Sequence, residues 1–272
     1  MPINAQSLSI GNAEKSIINK SFMNEMNIEI QQPDREKYRP IHKLSPSIEE
    51  ELQTYRISFD EEIRNPRSVD DIEELIGYAI IRSGAETPRV AASMWFRRYA
   101  FFITAQLYMI SKHRLTWNGT LSDIEVLDDP EDDQWFPKYG LKETGWSDVS
   151  DKESTQALQA VLKRFGSDII NPLSKSAKVS KLILWENIWG YTVWMYSELL
   201  KQCDIKERVE KDIETLLDNE MWLNFEKRSP FKRFIGEKTI PESMNSYKRV
   251  TCCLYYQIEG QTKCSYCPNN NC

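Results

Sequence analysis

Five of the chain's six cysteines, Cys252, Cys253, Cys264, Cys267 and Cys272, fall in its last 21 residues. Cysteines that serve as small buried residues scatter along a chain; thiols crowded in this way belong to metal, cluster or disulfide chemistry. Their order is C-C, ten residues, then C-x-x-C followed by Pro268. The two residues between Cys264 and Cys267 let both thiolates turn toward one ion or cluster. A turn at Glu259-Gly260 would return Cys252 and Cys253 to the same place. Four thiolates hold a structural zinc or an iron–sulfur cluster. A disulfide framework is the third option, which a cytosolic setting disfavours. In an extended strand neighbouring side chains point to opposite faces, so a single tetrahedral zinc demands a bent backbone. Two irons accept adjacent cysteines more readily. No histidine lies near, which removes a Rieske-type centre. Cys203 reads as a helix residue and Cys272 as a tail residue without a chemical role.

Composition removes other chemistries. At 272 residues, with 40% hydrophobic and 11% aromatic residues, the chain can build a sizeable core. A net charge of −6 argues against a nucleic-acid binder, which carries a basic field. None of the ten glycines forms a G-x-G pair, and no phosphate-binding G-x-x-x-x-G-K-[ST] loop is present, so no Rossmann-held nicotinamide or flavin is expected. The only histidines, His42 and His113, read as surface residues. The longest apolar run, Tyr99 to Ile110, has twelve residues and includes Thr104 and Gln106, too short to span a membrane. The N-terminus lacks a secretory pattern, which points to the cytoplasm.

The elements that must position the thiols read as helices. Residues 1–45, rich in Asn, Gln, Ser and Lys, read as a loose extension with one short helix near Ile17 to Met26. Ser45-Pro46 opens a helix with Ile48, Leu52, Tyr55 and Phe59 on one face. Ser68 is expected to cap a second, which Gly84 stops. Thr87-Pro88 opens a third, apolar on most sides and interrupted by Arg97 and Arg98, which runs to about His113 as the buried centre. Residues 115–145 read as turns with a short strand at Ile124 to Leu127. They carry seven acids between Asp123 and Asp133, either a solvated loop or a docking surface for a basic partner. Three more helices follow: one after a Ser150/Glu153 capping box, one from about Lys178 to Gln202, and one from Ile205 to about Phe225. Helical periodicity stops at Lys227. From there to Arg249 seven bases face two acids, and Thr251 to Ile258 reads as part of a short hairpin. The fold class is therefore mainly α-helical with minor β: an extension (1–45), a helical body (46–226) and a basic, cysteine-rich C-terminal segment (227–272).

The run Lys248-Arg249-Val250-Thr251-Cys252-Cys253-Leu254-Tyr255-Tyr256, with Cys264-Ser265-Tyr266-Cys267-Pro268, resembles the C-terminal signature of the FhuF-like ferric-siderophore reductases. Leu184-Trp185-Glu186-Asn187 resembles a W-x-N segment on a helix upstream of the cluster in that family. The resemblance implies a 2Fe–2S cluster on Cys252, Cys253, Cys264 and Cys267, and a body similar to one domain of siderophore synthetases. Cys272 and the long N-terminal part fall outside the family pattern.

The resemblance also implies a one-electron reduction of a ferric siderophore, of hydroxamate or citrate–hydroxamate type, that releases ferrous iron. The electron donor would be separate, a ferredoxin or a flavoprotein, and the protein could associate peripherally with the siderophore importer. Lys248 and Arg249 could offset the cluster's charge or attract an anionic chelate. Trp185 and Trp189 share a face that reads as core packing, with a siderophore platform as the functional alternative. Asn187 either bonds a ligand or caps a loop. The candidate substrate contacts are thus Lys248, Arg249, Trp185 and Asn187. The rival readings are a zinc-stapled siderophore- or protein-binding module without redox activity, and an iron–sulfur sensor.

Overall fold

The computed structural model describes residues 38–270 apart from 42, 60–66, 130, 133–134 and 143. The extension over 1–37 with its helix near Ile17 to Met26, and the readings of His42 and Cys272, lie outside the described residues. The described chain is mainly α-helical with two small sheets, the expected class.

After a two-residue strand, β1 (Arg39–Pro40), Pro46 opens α1 (Pro46–Thr54). The helix ends before Phe59, contrary to its expected length. Arg56 turns left-handed (φ 64°), and the chain leaves as β2 (Ile57–Ser58). Ser68 lies in β3 (Arg67–Ser68), so the cap of α2 (Ile72–Ser83) is Asp71, whose carboxylate accepts the Glu74 amide at 2.9 Å. A carboxylate satisfies that free amide and also complements the helix dipole. Thr87 caps α3 (Pro88–Tyr108), which is buried on nearly every face, as its apolar sequence predicts. A wider π-turn, Met109–His113, follows and closes on a left-handed Arg114.

The loop region holds more strand than the one expected: β4 (Leu115–Trp117), β5 (Glu125–Leu127), β6 (Lys138–Gly140) and β7 (Trp146–Asp148). One sheet has the order β1-β7-β4, antiparallel throughout, with Trp117 opposite Trp146. The other has the order β2-β6-β5-β3, with β2 and β6 parallel. The acidic loop is folded on a cation: the Arg82 guanidinium pairs with Asp128 at 2.7 Å and donates to the Asp129 and Asp132 carbonyls.

The remaining helices are α4 (Ser154–Val161), joined through a π-turn to α5 (Asp168–Ala177), then α6 (Lys181–Leu199) and α7 (Lys206–Leu217). Two short helices, α8 (Pro230–Ile235) and α9 (Ile240–Asn245), occupy the region where periodicity stops. The expected hairpin does not form: Tyr255–Gln257 is a single 3-10 turn, and Gly260 (φ 75°) turns the chain without a strand pair. Helices α3 and α6 lie side by side at the centre, and their apolar surfaces, including Trp95, Tyr99, Phe102, Leu184, Ile188 and Tyr196, form the core.

His113 is only half-exposed, which corrects the surface reading, and it belongs to a polar hub. Lys112, His113 and Tyr108 all bond the Glu51 carboxylate, at 2.8, 2.6 and 2.6 Å. Burial alone would raise the Glu51 pKa, but these three bonds outweigh it and hold the group at about 2, below its usual 4.5. A depressed folded-state pKa stabilises the fold at pH values above the unfolded value. The hub's contribution should therefore be intact above pH 4.5 and drain away as pH falls toward 2. Thermal melts of wild type and Glu51→Gln across that range check this: the wild-type advantage should shrink with acid and be absent at the low end.

Candidate metal centre

The four motif cysteines lie on a segment, Tyr247 to Pro268, that is held down by the two central helices. From α3, the Ser93 hydroxyl donates to the Cys253 carbonyl at 2.8 Å in a fully buried bond. One turn on, Arg97 donates to the Tyr266 hydroxyl at 2.8 Å. From α6, the Glu186 carboxylate accepts the Val250 amide, the Thr251 amide (2.7 Å) and the Thr251 hydroxyl. The Arg249 guanidinium stands 3.5 Å from Glu186, and the two side chains are only 4% and 1% exposed. Arg249 also donates to the Ile183 and Thr251 carbonyls. A buried ion pair is tolerable only with its remaining hydrogen-bonding capacity filled, and here backbone groups fill it.

Gly190, on the same helix, makes room for the Tyr247 ring. A Cβ at Gly190 would stand 2.9 Å from the Tyr247 oxygen, and Tyr247 in turn packs on Tyr266 with ring centroids 5.6 Å apart.

Inside the segment the two cysteine halves are tied together by the Arg249 amide, which donates to the Tyr266 carbonyl at 3.0 Å. Leu254 adopts a left-handed conformation (φ 70°), a cost of about 1 kcal/mol for a non-glycine residue. It turns the chain directly after the dicysteine and aims its own amide at the Cys252 sulfur, 3.4 Å away. In the second half the Cys267 amide donates to the Cys264 carbonyl, closing a tight turn.

The Cys252 and Cys267 sulfurs are 3.8 Å apart, and Cys253 is near enough to Cys264 for the two thiols to influence each other. Cys253 and Cys267 are buried, while Cys252 and Cys264 are half-exposed. Burial, then the neighbouring Cys253 and Cys267 thiols, push Cys264 up to about 11 despite Arg97 nearby, and burial likewise raises Cys252. As bare thiols Cys252 and Cys264 resist ionisation, whereas a coordinated thiol is deprotonated outright. Among the described residues no three His, Cys, Asp or Glu side chains gather so as to hold one metal ion. The donor set fits a cofactor with two metal atoms and all-sulfur ligation.

The other expected site residues fall in different places. Lys248 is exposed beside the motif. Arg249 faces inward onto Glu186, so it is corrected from a chelate contact to a positioning residue. Trp185 is buried against Trp222 and Phe231 and donates to Glu226 at 3.0 Å. Asn187 is buried and donates to the Ser93 carbonyl at 3.2 Å. Neither can serve as a substrate platform in this arrangement: Trp185 belongs to the core, and Asn187 steadies the helix turn that holds Cys253. Cys203, read as a helix residue, is instead exposed in the turn between α6 and α7.

Glu186 and Ser93 escaped the sequence reading. Glu186 carried a signal: it is a carboxylate in the middle of an apolar helix, within the same tetrapeptide that resembles the family segment. Ser93 carried none.

Helices and motif together define a helical protein with a four-cysteine segment seated on its two central helices. Residues 249–268 match the family model described as the FhuF 2Fe-2S C-terminal domain, in agreement with the resemblance read from the motif. The match spans all four cysteines and Arg249, and it assigns the segment a 2Fe–2S cluster. No curated protein matches the chain.

The geometry around Arg97 makes a direct prediction. Burial disfavours its charge, but Tyr191, Tyr266 and Cys253 more than restore it, so Arg97 remains a cation beside the thiols. A fixed positive charge stabilises the more negative, reduced cofactor. Arg97→Gln should lower the midpoint potential by a tenfold change in the one-electron equilibrium, about 59 mV. Arg97→Lys should restore most of it. Spectroelectrochemical titration reads both.

Proposed function

We propose that the protein is a ferric-siderophore reductase, with Cys252, Cys253, Cys264 and Cys267 as the cluster ligands. In this reading 46–226 is the helical body and 227–272 the segment that carries the redox group. The observation that carries the proposal is the placement of the thiols: Cys253 and Cys267 anchor the site in the interior, while Cys252 and Cys264 reach the surface. A 2Fe–2S cluster bound there supplies one electron at a time.

Siderophore oxygens bind ferric iron tightly and ferrous iron far more weakly. One electron passed to Fe(III) therefore yields Fe(II) and an intact chelator, with no covalent bond of the ligand broken. Lys248 and Lys263, both exposed within the segment, supply the positive field that draws in an anionic ferric chelate of hydroxamate or citrate–hydroxamate type. Glu186 and Arg249 fix the dicysteine backbone so that Cys252 stays at the surface. The chain carries no nucleotide-binding motif, so the electron comes from a separate donor such as a ferredoxin or flavoprotein. The cytoplasm, on the inner side of the siderophore importer, is where such a reaction would release iron. No helix among the described residues is long and apolar enough to cross a membrane.

The test is anaerobic. Protein is reduced with dithionite, freed of excess reductant, and mixed with ferric hydroxamate and citrate–hydroxamate chelates in the presence of a chromophoric ferrous trap. The expected result is reoxidation of the cluster with one ferrous ion trapped per reduced protein. If no chelate in the panel reoxidises the cluster, the reductase reading fails even though the cluster remains.

A further inference from the structure

The 2Fe–2S cofactor has two irons, and four ligands can be divided between them in three ways. Adjacent cysteines could share an iron, with Cys252 and Cys253 on one and Cys264 and Cys267 on the other. Alternatively each iron could take one ligand from either half of the motif, in either of two pairings. Two thiolates on one tetrahedral metal with bonds near 2.3 Å stand about 3.8 Å apart. Cys252 and Cys267 are at that separation already, 3.8 Å. With those two on one iron, Cys253 and Cys264 are left to share the other. The left-handed Leu254 and the Arg249–Tyr266 backbone bond create this crossed arrangement, because they fold the dicysteine against the C-x-x-C turn instead of curling each half on itself.

The two pairs have unequal surroundings. Ser93 fixes Cys253 from α3, and one turn along the same helix Arg97 reaches Tyr266, inside the C-x-x-C turn. The Tyr266 bond keeps the guanidinium within electrostatic reach of Cys253 and Cys264. The other pair receives the Leu254 amide on Cys252, a single long N–H to sulfur contact of 3.4 Å. A full charge in a half-buried site outweighs one weak neutral hydrogen bond.

We propose that each iron takes one cysteine from either half of the motif, Cys252 with Cys267 and Cys253 with Cys264, and that the Cys253–Cys264 iron receives the electron. The step is a single-electron uptake: an external reductant such as dithionite loses one electron, that ferric iron becomes ferrous, and no bond or proton moves. The inference rests on these four cysteines being the ligands, but not on the reductase reading.

The test replaces each cysteine singly by serine, whose oxygen keeps a ligand while changing the iron it binds. Protein loaded with 57Fe is reduced and examined by Mössbauer spectroscopy and redox titration. Cys253→Ser and Cys264→Ser should both alter the ferrous signal and lower the potential by at least a tenfold change in the one-electron equilibrium, about 59 mV. Cys252→Ser and Cys267→Ser should both alter the ferric signal and shift the potential less. The proposal is overturned if Cys252→Ser behaves like Cys253→Ser or Cys264→Ser, or if the ferrous signal follows Cys252 and Cys267.

A second measurement covers serine variants that do not keep the cluster. Wild-type holoprotein is bleached with ferricyanide and its disulfides are mapped. Linkages Cys252–Cys267 and Cys253–Cys264 are expected, and any other linkage among the four overturns the pairing. Alanine variants of the four that all retain full iron would instead overturn the ligand set, so the two failures are distinguishable.

Discussion

Glu186→Gln should lower the stability of the protein by about 3 kcal/mol, the scale for breaking a buried charge pair by removing one partner. For a domain of this size that is a fall in melting temperature of roughly 10 °C. The carboxylate is 1% exposed and does three jobs at once: it accepts two backbone amides and one hydroxyl of the Val250-Thr251 stretch, and it faces Arg249. The amide side chain keeps one acceptor oxygen, turns the other position into a donor facing donors, and leaves the guanidinium buried without its anion. The double variant Glu186→Leu with Arg249→Met removes both charges and should recover most of the stability, since an apolar pair can replace a buried ion pair at little cost. It should not recover cluster retention, because the Val250 and Thr251 amides still lack their acceptor and the dicysteine is no longer pinned. Melting curves alongside the rate of visible bleaching in air separate the two effects. Equal recovery of both would mean that Glu186 serves stability alone.

Alanine at any one of Cys252, Cys253, Cys264 or Cys267 should abolish the cluster. The variants should purify without stoichiometric iron and inorganic sulfide and without the visible bands of the wild type, because four-thiolate ligation leaves no spare donor. Among the described residues no further group of metal-binding side chains stands ready to substitute. Cys203→Ala, on the exposed surface of the helical body, should retain the full complement. Each alanine variant is best combined with Cys272→Ser, which removes the one remaining thiol of the C-terminal stretch. Iron and sulfide analysis after oxygen-free preparation decides the matter. Zinc in wild-type protein in place of iron and sulfide would refute the cluster, while alanine variants that keep their full metal would refute the ligand assignment.

The thiols were legible because a local motif needs no knowledge of tertiary structure: C-C and C-x-x-C are separated by only ten residues. The long helices were legible for the same reason, since α3 and α6 are continuous apolar runs with clear caps. What surrounds the thiols was not. Ser93 and Cys253 are 160 positions apart in sequence, and nothing near Ser93 announces that its hydroxyl will meet a backbone carbonyl. The strands are two or three residues long, too short for an alternating pattern to appear. The helices at Pro230 and Ile240 have only six residues each, below the length at which a 3.6-residue period can be seen. Their caps were visible all the same: Ser229 precedes Pro230, and Thr239 with Glu242 forms a capping box. The hairpin expectation failed because Tyr and Ile are strand-forming residues by propensity, whereas the turn at Leu254 is imposed by tertiary contacts.

Ser93, Arg97, Ile183, Glu186, Asn187 and Gly190 all precede the segment they grip. During synthesis the chain emerges from its amino end, so every residue that receives the dicysteine is made before it. The four ligands thus follow every side chain that seats them, and the cluster can be completed only after its bed has been made.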